Sequence, residues 1–248
     1  KAEYPAPYDS VYDGAWGIPD EPFFLHALGK INEFREPFCS VIFSLSSHDP
    51  YTIPAFRKKL FEEYKGETDF QKSLRYADFS LRQFFEQAKN TPWFKNTVVL
   101  ITADHTSFTA ENNLYEIFHI PLLIVAPSIL TPGVRDDGGS HVDILPTILD
   151  LLQIEAVHSS MGFSLLDRTR TRYAIVRWGG PYGIFSASHL YLNDPESSES
   201  LYAYPTDPFC KNNLKDVLPA IKEDLKRKLL SYVQAATKAI NSDLVYRK

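Results

Sequence analysis

Three short apolar runs constrain this chain more than anything else in it. "FCSVIFSL" (38–45), "TVVLITA" (97–103) and "IPLLIVAP" (120–127) are continuous and rich in β-branched and aromatic residues. A strand with one solvated face alternates apolar and polar residues, whereas a strand covered on both faces does not. Between the first two runs, "FQKSLRYADFSLRQFFEQA" (70–88) would put Phe70, Leu74, Ala77, Leu81, Phe84, Phe85 and Ala88 on one helical face. "FFLHALGKINEF" (23–34) reads as another helix. "HVDILPTILDLLQI" (141–154) reads as a third, with Pro146 early, where a first-turn ring is tolerated. Buried strands alternating with helices predict an α/β fold with a mostly parallel sheet flanked by helices.

The pattern changes after about residue 165. "RYAIVRW", "YGIFSAS" and "HLYLND" are short alternating segments that predict a small antiparallel meander. "NNLKDVLPAIKEDLKRKLLSYVQAATKAI" predicts a long amphipathic terminal helix, interrupted near Pro219. Residues 1–22, "KAEYPAPYDSVYDGAWGIPDEP", lack periodicity and read as irregular chain.

Composition narrows the function classes. The chain has 248 residues, 44% hydrophobic and 23% charged, enough for a sizeable core. The net charge of −5, with scattered Lys and Arg, gives no nucleic-acid footprint and argues against direct binding to anionic membranes. No apolar run approaches the ~20 residues needed to span a bilayer, and no signal peptide opens the chain. Cys39 and Cys210 fit one disulfide or two free thiols, and neither has metal-ligand spacing or an activating motif.

In open α/β sheets, ligands bind at the carboxyl ends of strands. Two segments deliver polar groups there: "SLSSHDPY" carries His48, and "ITADHTS" carries Asp104 and His105. Carboxylate and imidazole are O/N ligands for a divalent ion. An Asp-His pair after a strand also serves simply to cap a loop, and a loop histidine is usually just solvated. His26, His119, His158 and His189 lack supporting context and read as structural or surface residues. His141 stays open: it would ligate, or it would merely open the helix at "HVDILPT".

"LITADHT", "IPLLIVAP" and "HVDILPTILDLLQI", in this order, resemble the second half of the sulfatase-like members of the alkaline phosphatase superfamily. "FSLSSHDPYTIP" and "WGIPDEPFF" narrow the likeness to the lipoteichoic-acid-synthase-like, or phosphoglycerol transferase, branch. "LYAYPTDPFCKNNL" is similar to that group's C-terminal meander. The likeness runs over about residues 12–235; the combination is specific, while each motif singly is weak. It implies that Asp104 and His105 are paired metal ligands and that His48 contacts the phosphate or sulfate of the substrate. It gives Asp143 no firm catalytic role, and helix-dipole logic makes that residue a structural acceptor near a helix start.

The chain departs from the family at one point. Family members carry an acidic metal ligand and a nucleophile upstream of this region, a Thr in the lipoteichoic-acid branch or a Cys or Ser in a C/S-x-P-x-R context. Nothing before His48 fits: Cys39 precedes Ser-Val, and Glu3, Asp9, Asp13, Asp20 and Glu21 lie in or beside the irregular opening segment. Cys210 precedes Lys-Asn and fits no better. The expectation is therefore a C-terminal part of a longer protein, with no catalytic nucleophile of its own. Residues 1–165 would be the C-terminal part of the sulfatase-like α/β domain, and residues 166–248 the strands and helix packed on it.

The resemblance also implies one divalent ion (Mn, Zn or Mg) in the complete enzyme and a sulfate- or phosphate-ester substrate, of lipid or glycan type. It implies an extracytoplasmic site on a parent protein tethered to the membrane by a region this chain lacks. Exposed surface on the isolated chain invites self-association. The competing reading, from another class, is a non-catalytic binding module that keeps the fold.

Overall fold

The computed structural model describes residue 12 and residues 16–107, 113–177, 179–194 and 198–245. The chain divides into two compact units, Lys1–Thr97 and Val98–Lys248.

The first unit is helical among its described residues, with α1 at Asp20–Ile31, α2 at Lys58–Phe61 and α3 at Asp69–Ala88. α1 starts with Asp20 and Glu21 in its first turn, acids that suit the positive end of a helix dipole. α3 opens with a capping box, in which Thr68 and Gln71 satisfy each other's backbone N–H groups. The two helices pack around Phe24, Leu28, Ile31, Phe84, Ala88 and Trp93. Edge-to-face ring pairs such as Phe24 with Phe84, centroids 6.2 Å apart, give that core its directionality. Trp93 Nε1 donates to Asn32 Oδ1 at 2.8 Å, so its polar edge is satisfied.

The buried stripe of α3 matches the expected one only in its second half. Phe84 and Ala88 are buried and Leu81 and Phe85 pack on the core, but earlier in the helix Ser73, Tyr76 and Ser80 are the buried residues, while Leu74 is 46% exposed. The serines are buried at little cost because each hydroxyl donates to a preceding carbonyl, Ser73 to Phe70 and Ser80 to Tyr76, both at 2.7 Å. Glu21 of α1 and Arg57, just before α2, form a two-pronged ion pair that ties these elements together.

The expected strand 38–45 is not in a ladder. Phe38, Ile42 and Phe23 lean on the helical core, but Val41 and Phe43 are 90% and 63% exposed. A buried parallel strand needs hydrogen-bonded neighbours and two covered faces. Among the described residues of its unit there is no strand to pair with, so the run lies on the helices by one side only.

The second unit opens with β1 at Val99–Thr102, then α4 at Leu114–Phe118 and β2 at Leu122–Val125. β1 and β2 pair antiparallel, Val99 opposite Val125 and Thr102 opposite Leu122, where parallel strands were expected. The described part of the link between them holds one short helix, α4, of five residues. A single 3-10 turn, His141–Asp143, leads into α5 at Ile144–Leu151.

The meander forms as expected and gains a fourth strand. β3 (Ala174–Arg177), β4 (Tyr182–Phe185), β5 (Leu190–Asn193) and β6 (Glu199–Tyr202) make an antiparallel sheet in sequence order. α6, Pro219–Asn241, packs on it. Pro219 does not interrupt this helix; it begins it, because a proline at the first position removes only an N–H that has no helical partner. Leu225 and Leu229 are buried against Ile184, Tyr191 and Leu201, each leucine contributing about 1.5–3 kcal/mol by burial. Glu199 of β6 accepts from Lys226 and pairs with Lys222 at 3.5 Å, which fastens the helix to the sheet.

Candidate functional site

β1 ends at Thr102, and the Asp-His pair follows in a short turn anchored from three directions. Thr102 Oγ1 donates to the Pro121 carbonyl at 2.8 Å, tying the turn to the start of β2. Thr106 Oγ1 donates to the Ile117 carbonyl at 2.6 Å, tying it to α4. His141 Nε2 donates to the Ala103 carbonyl at 2.8 Å, tying it to the 3-10 turn before α5. Each anchor is a short side-chain donor meeting a carbonyl that no strand or helix uses.

Within the turn, Asp104 Oδ1 accepts the His105 N–H at 2.9 Å, and His105 Nδ1 lies 2.7 Å from the Thr106 carbonyl. A carbonyl only accepts, so Nδ1 carries the proton. The other atoms of the pair, His105 Nε2 and Asp104 Oδ2, are 3.7 Å apart, with both side chains 60% exposed. The structure thus brings Asp104 and His105 together as one oxygen and one nitrogen donor.

His141 acts as a strut toward Ala103. Asp143 is buried and serves as the expected structural acceptor: Oδ2 takes the Ser140 N–H at 2.9 Å and Oδ1 the Phe163 N–H at 2.8 Å. Thr147 continues the brace, donating to Asp143 O at 2.6 Å and accepting from Leu165 N at 2.8 Å.

His48 belongs to the first unit, on an exposed turn. Its N–H reaches the Leu45 carbonyl at 3.0 Å and its Nδ1 lies 3.0 Å from the Asp49 carbonyl. Trp16 lies against the imidazole with ring centroids 4.2 Å apart and donates from Nε1 to the same Asp49 carbonyl at 2.6 Å. Neither Trp16 nor Asp20, which grips the chain just before His48, stands out in the sequence, because both lie in its irregular opening.

Other polar groups fall into structural roles. His119 packs on Tyr115 at 4.7 Å and His189 Nδ1 meets Ser188 Oγ at 2.8 Å. Both cysteines are free thiols. Burial pushes the Cys210 thiol up to about 11, so at neutral pH it is protonated and a poor nucleophile.

This architecture is that of the alkaline phosphatase superfamily: a member from Vibrio parahaemolyticus superposes with a TM-score of 0.82 at 25% identity, over 99% of this chain and 59% of that one. The model of the sulfatase family matches residues 1–154, and the chain belongs to that family. A lipoteichoic acid synthase-like protein of Bacillus subtilis is 25% identical over 188 residues, 66% of this chain and 30% of the relative. Arylsulfatase K of Gallus gallus is 27% identical over 176 residues, 66% of this chain and 32% of the relative. The chain therefore spans about a third of these relatives' length.

Proposed function

We propose that this chain carries part of the active site of an enzyme acting on sulfate or phosphate esters, a sulfuric ester hydrolase or a phosphoglycerol transferase. The observation that carries the reading is the Asp104–His105 pair, its two donor atoms 3.7 Å apart on a turn held at the end of β1. The relatives' names supply the two ester classes.

Carboxylate oxygen with imidazole nitrogen suits Mn, Zn or Mg. Among the described residues no cluster of three or more His, Cys, Asp or Glu side chains forms such a site. Asp104 and His105 would supply two ligands of one divalent ion, and the rest of the shell would come from outside the described residues. When bound, that ion screens charge on the attacked ester and lowers the pKa of a coordinated hydroxyl. The chain's own residues orient: Thr102, Thr106 and His141 keep the ligand turn in place, and His48 hydrogen-bonds a non-bridging oxygen or the leaving group. His48 Nδ1 faces the Asp49 carbonyl, so Nε2 is the nitrogen directed to the ester.

The reading extends to an extracytoplasmic parent protein tethered to a membrane. Among the described residues no helix is long and apolar enough to cross a membrane. Within the chain, residues 1–165 would belong to the sulfatase-like α/β part, with residues 166–248 packed on it; the family match ends at residue 154.

Two ligands hold a catalytic ion poorly, since such sites normally supply three or more. The 248-residue chain is therefore expected to bind Mn and Zn weakly and to hydrolyse neither aryl sulfates nor aryl phosphodiesters above background. The protein extended to its relatives' length is expected to show metal-dependent turnover that Asp104→Ala abolishes. Calorimetric titration beside the aryl-ester assay tests both. Turnover unaffected by Asp104→Ala would refute the reading, and ester binding with no turnover in the extended protein would make it a binding module.

A further inference from the structure

We infer that Asp20 is a positioning residue for His48, acting through a reciprocal clamp with Ser46; the inference rests on the role given to His48 above. Asp20 is fully buried. Its Oδ1 accepts two consecutive backbone N–H groups, Leu45 at 3.0 Å and Ser46 at 2.9 Å. In return, Ser46 Oγ accepts the Asp20 N–H at 2.9 Å. The clamp spans 25 and 26 residues of sequence.

A carboxylate at a helix start normally serves its own helix. Here the residue before it is Pro19, whose side chain caps nothing, and the Asp20 carboxylate turns to another segment instead. That segment leads into the His48 turn, since the Leu45 carbonyl accepts the His48 N–H and the His48 carbonyl accepts from Tyr51 at 2.8 Å. Downstream, Asp49 O receives Trp16 Nε1 and faces His48 Nδ1. The turn is thus gripped before His48 by Asp20 and after it by Trp16. The grip keeps Nδ1 protonated against Asp49 and leaves Nε2 as the outward nitrogen.

The remaining oxygen, Asp20 Oδ2, is buried with no hydrogen-bond partner. Such an atom costs free energy, and an apolar packing residue would avoid it. The other oxygen, Oδ1, meanwhile holds two consecutive amides of the segment that leads into the His48 turn. Asp20→Asn keeps the shape but puts amide hydrogens into the partnerless place. Ser46→Ala removes only the return bond and leaves the core intact.

Two arms test this. In the 248-residue chain, nitrogen NMR of His48 and hydrogen exchange at the Leu45 and Ser46 amides report the clamp directly. The expected result is a single Nδ1–H tautomer in the parent sequence, mixed tautomers in both variants, and lost amide protection. An unchanged His48 signal in both variants overturns the inference, whatever the activity. In the protein extended to its relatives' length, each variant is expected to lower kcat about tenfold, short of the ~100-fold that a 1 Å misplacement costs. In a His48→Ala background the same changes should alter kcat less than about twofold, because residues acting through one another are not additive. Losses that instead add to His48→Ala, with falling Tm, mean a merely structural bond and also overturn it. Absent turnover, or His48→Ala at wild-type rate, fails the functional reading alone, and the NMR arm then decides the clamp.

Discussion

His141 Nε2 donates to the carbonyl oxygen of Ala103 at 2.8 Å, joining positions 38 residues apart. The bond fixes the last residue before Asp104 against the turn that starts α5. Supporting partners of this kind typically change metal affinity 10–100-fold. His141→Ala is expected to weaken Mn binding by the extended protein about tenfold and to cost about 1 kcal/mol of stability. Calorimetry and urea melts measure the two. Unchanged Mn affinity would show that the Asp104–His105 turn holds its geometry without the strut.

Gly162 lies under the Val142 carbonyl. A Cβ there would overlap that carbonyl and reach the Asp143 amide nitrogen at 2.6 Å. Both are backbone groups that cannot step aside as a flexible side chain would. Gly162→Ala is expected to destabilise by about 1–3 kcal/mol and to break the Phe163 N–H bond to Asp143. Gly138→Ala, with nothing near its Cβ, should stay within about 0.5 kcal/mol. Equal denaturation midpoints for the two variants would disprove the close approach.

The Glu199 attachment of α6 should weaken in acid. The hydrogen bond from Lys226 holds the Glu199 carboxyl below its usual range, assisted by Lys222 and opposed by partial burial. The folded state therefore binds the proton less readily than the unfolded state. The stabilisation is fully present above the unfolded value of about 4.3 and is lost as pH falls through the lower folded value. Thermal melts from pH 7 down to pH 3 should fall less steeply for Glu199→Gln than for the parent sequence. Identical slopes would leave the ion pair without a thermodynamic role.

Val41 and Phe43 present an apolar, unpaired edge at 90% and 63% exposure, and Leu123 of β2 is 54% exposed. Extended apolar chain of this sort seeks a partner. The 248-residue chain is expected to self-associate with rising concentration, and the Val41→Lys, Phe43→Lys double variant to do so less. Light scattering after size exclusion reads the mass directly. A monomer at every concentration would count against an interactive surface there.

The periodicities that need only neighbours in sequence were legible before the structure. α3 and α6 are announced by their apolar spacing, and β3, β4 and β5 by their alternation, because each rests on local hydrogen bonds or on one face of one element. The Asp104–His105 pair was legible for the same reason, being adjacent residues at the end of an apolar run. The antiparallel direction of β1 and β2 was not, since it depends on the route the chain takes between them. Nor was the first half of the α3 stripe, where Ser73 and Ser80 bury themselves through backbone bonds that hydropathy does not register. Asp20, His141 and Gly162 mean nothing by type alone. Their roles come from Leu45 and Ser46, from Ala103 and from Val142, groups 20 to 38 residues away along the chain that only folding brings within hydrogen-bond or van der Waals range.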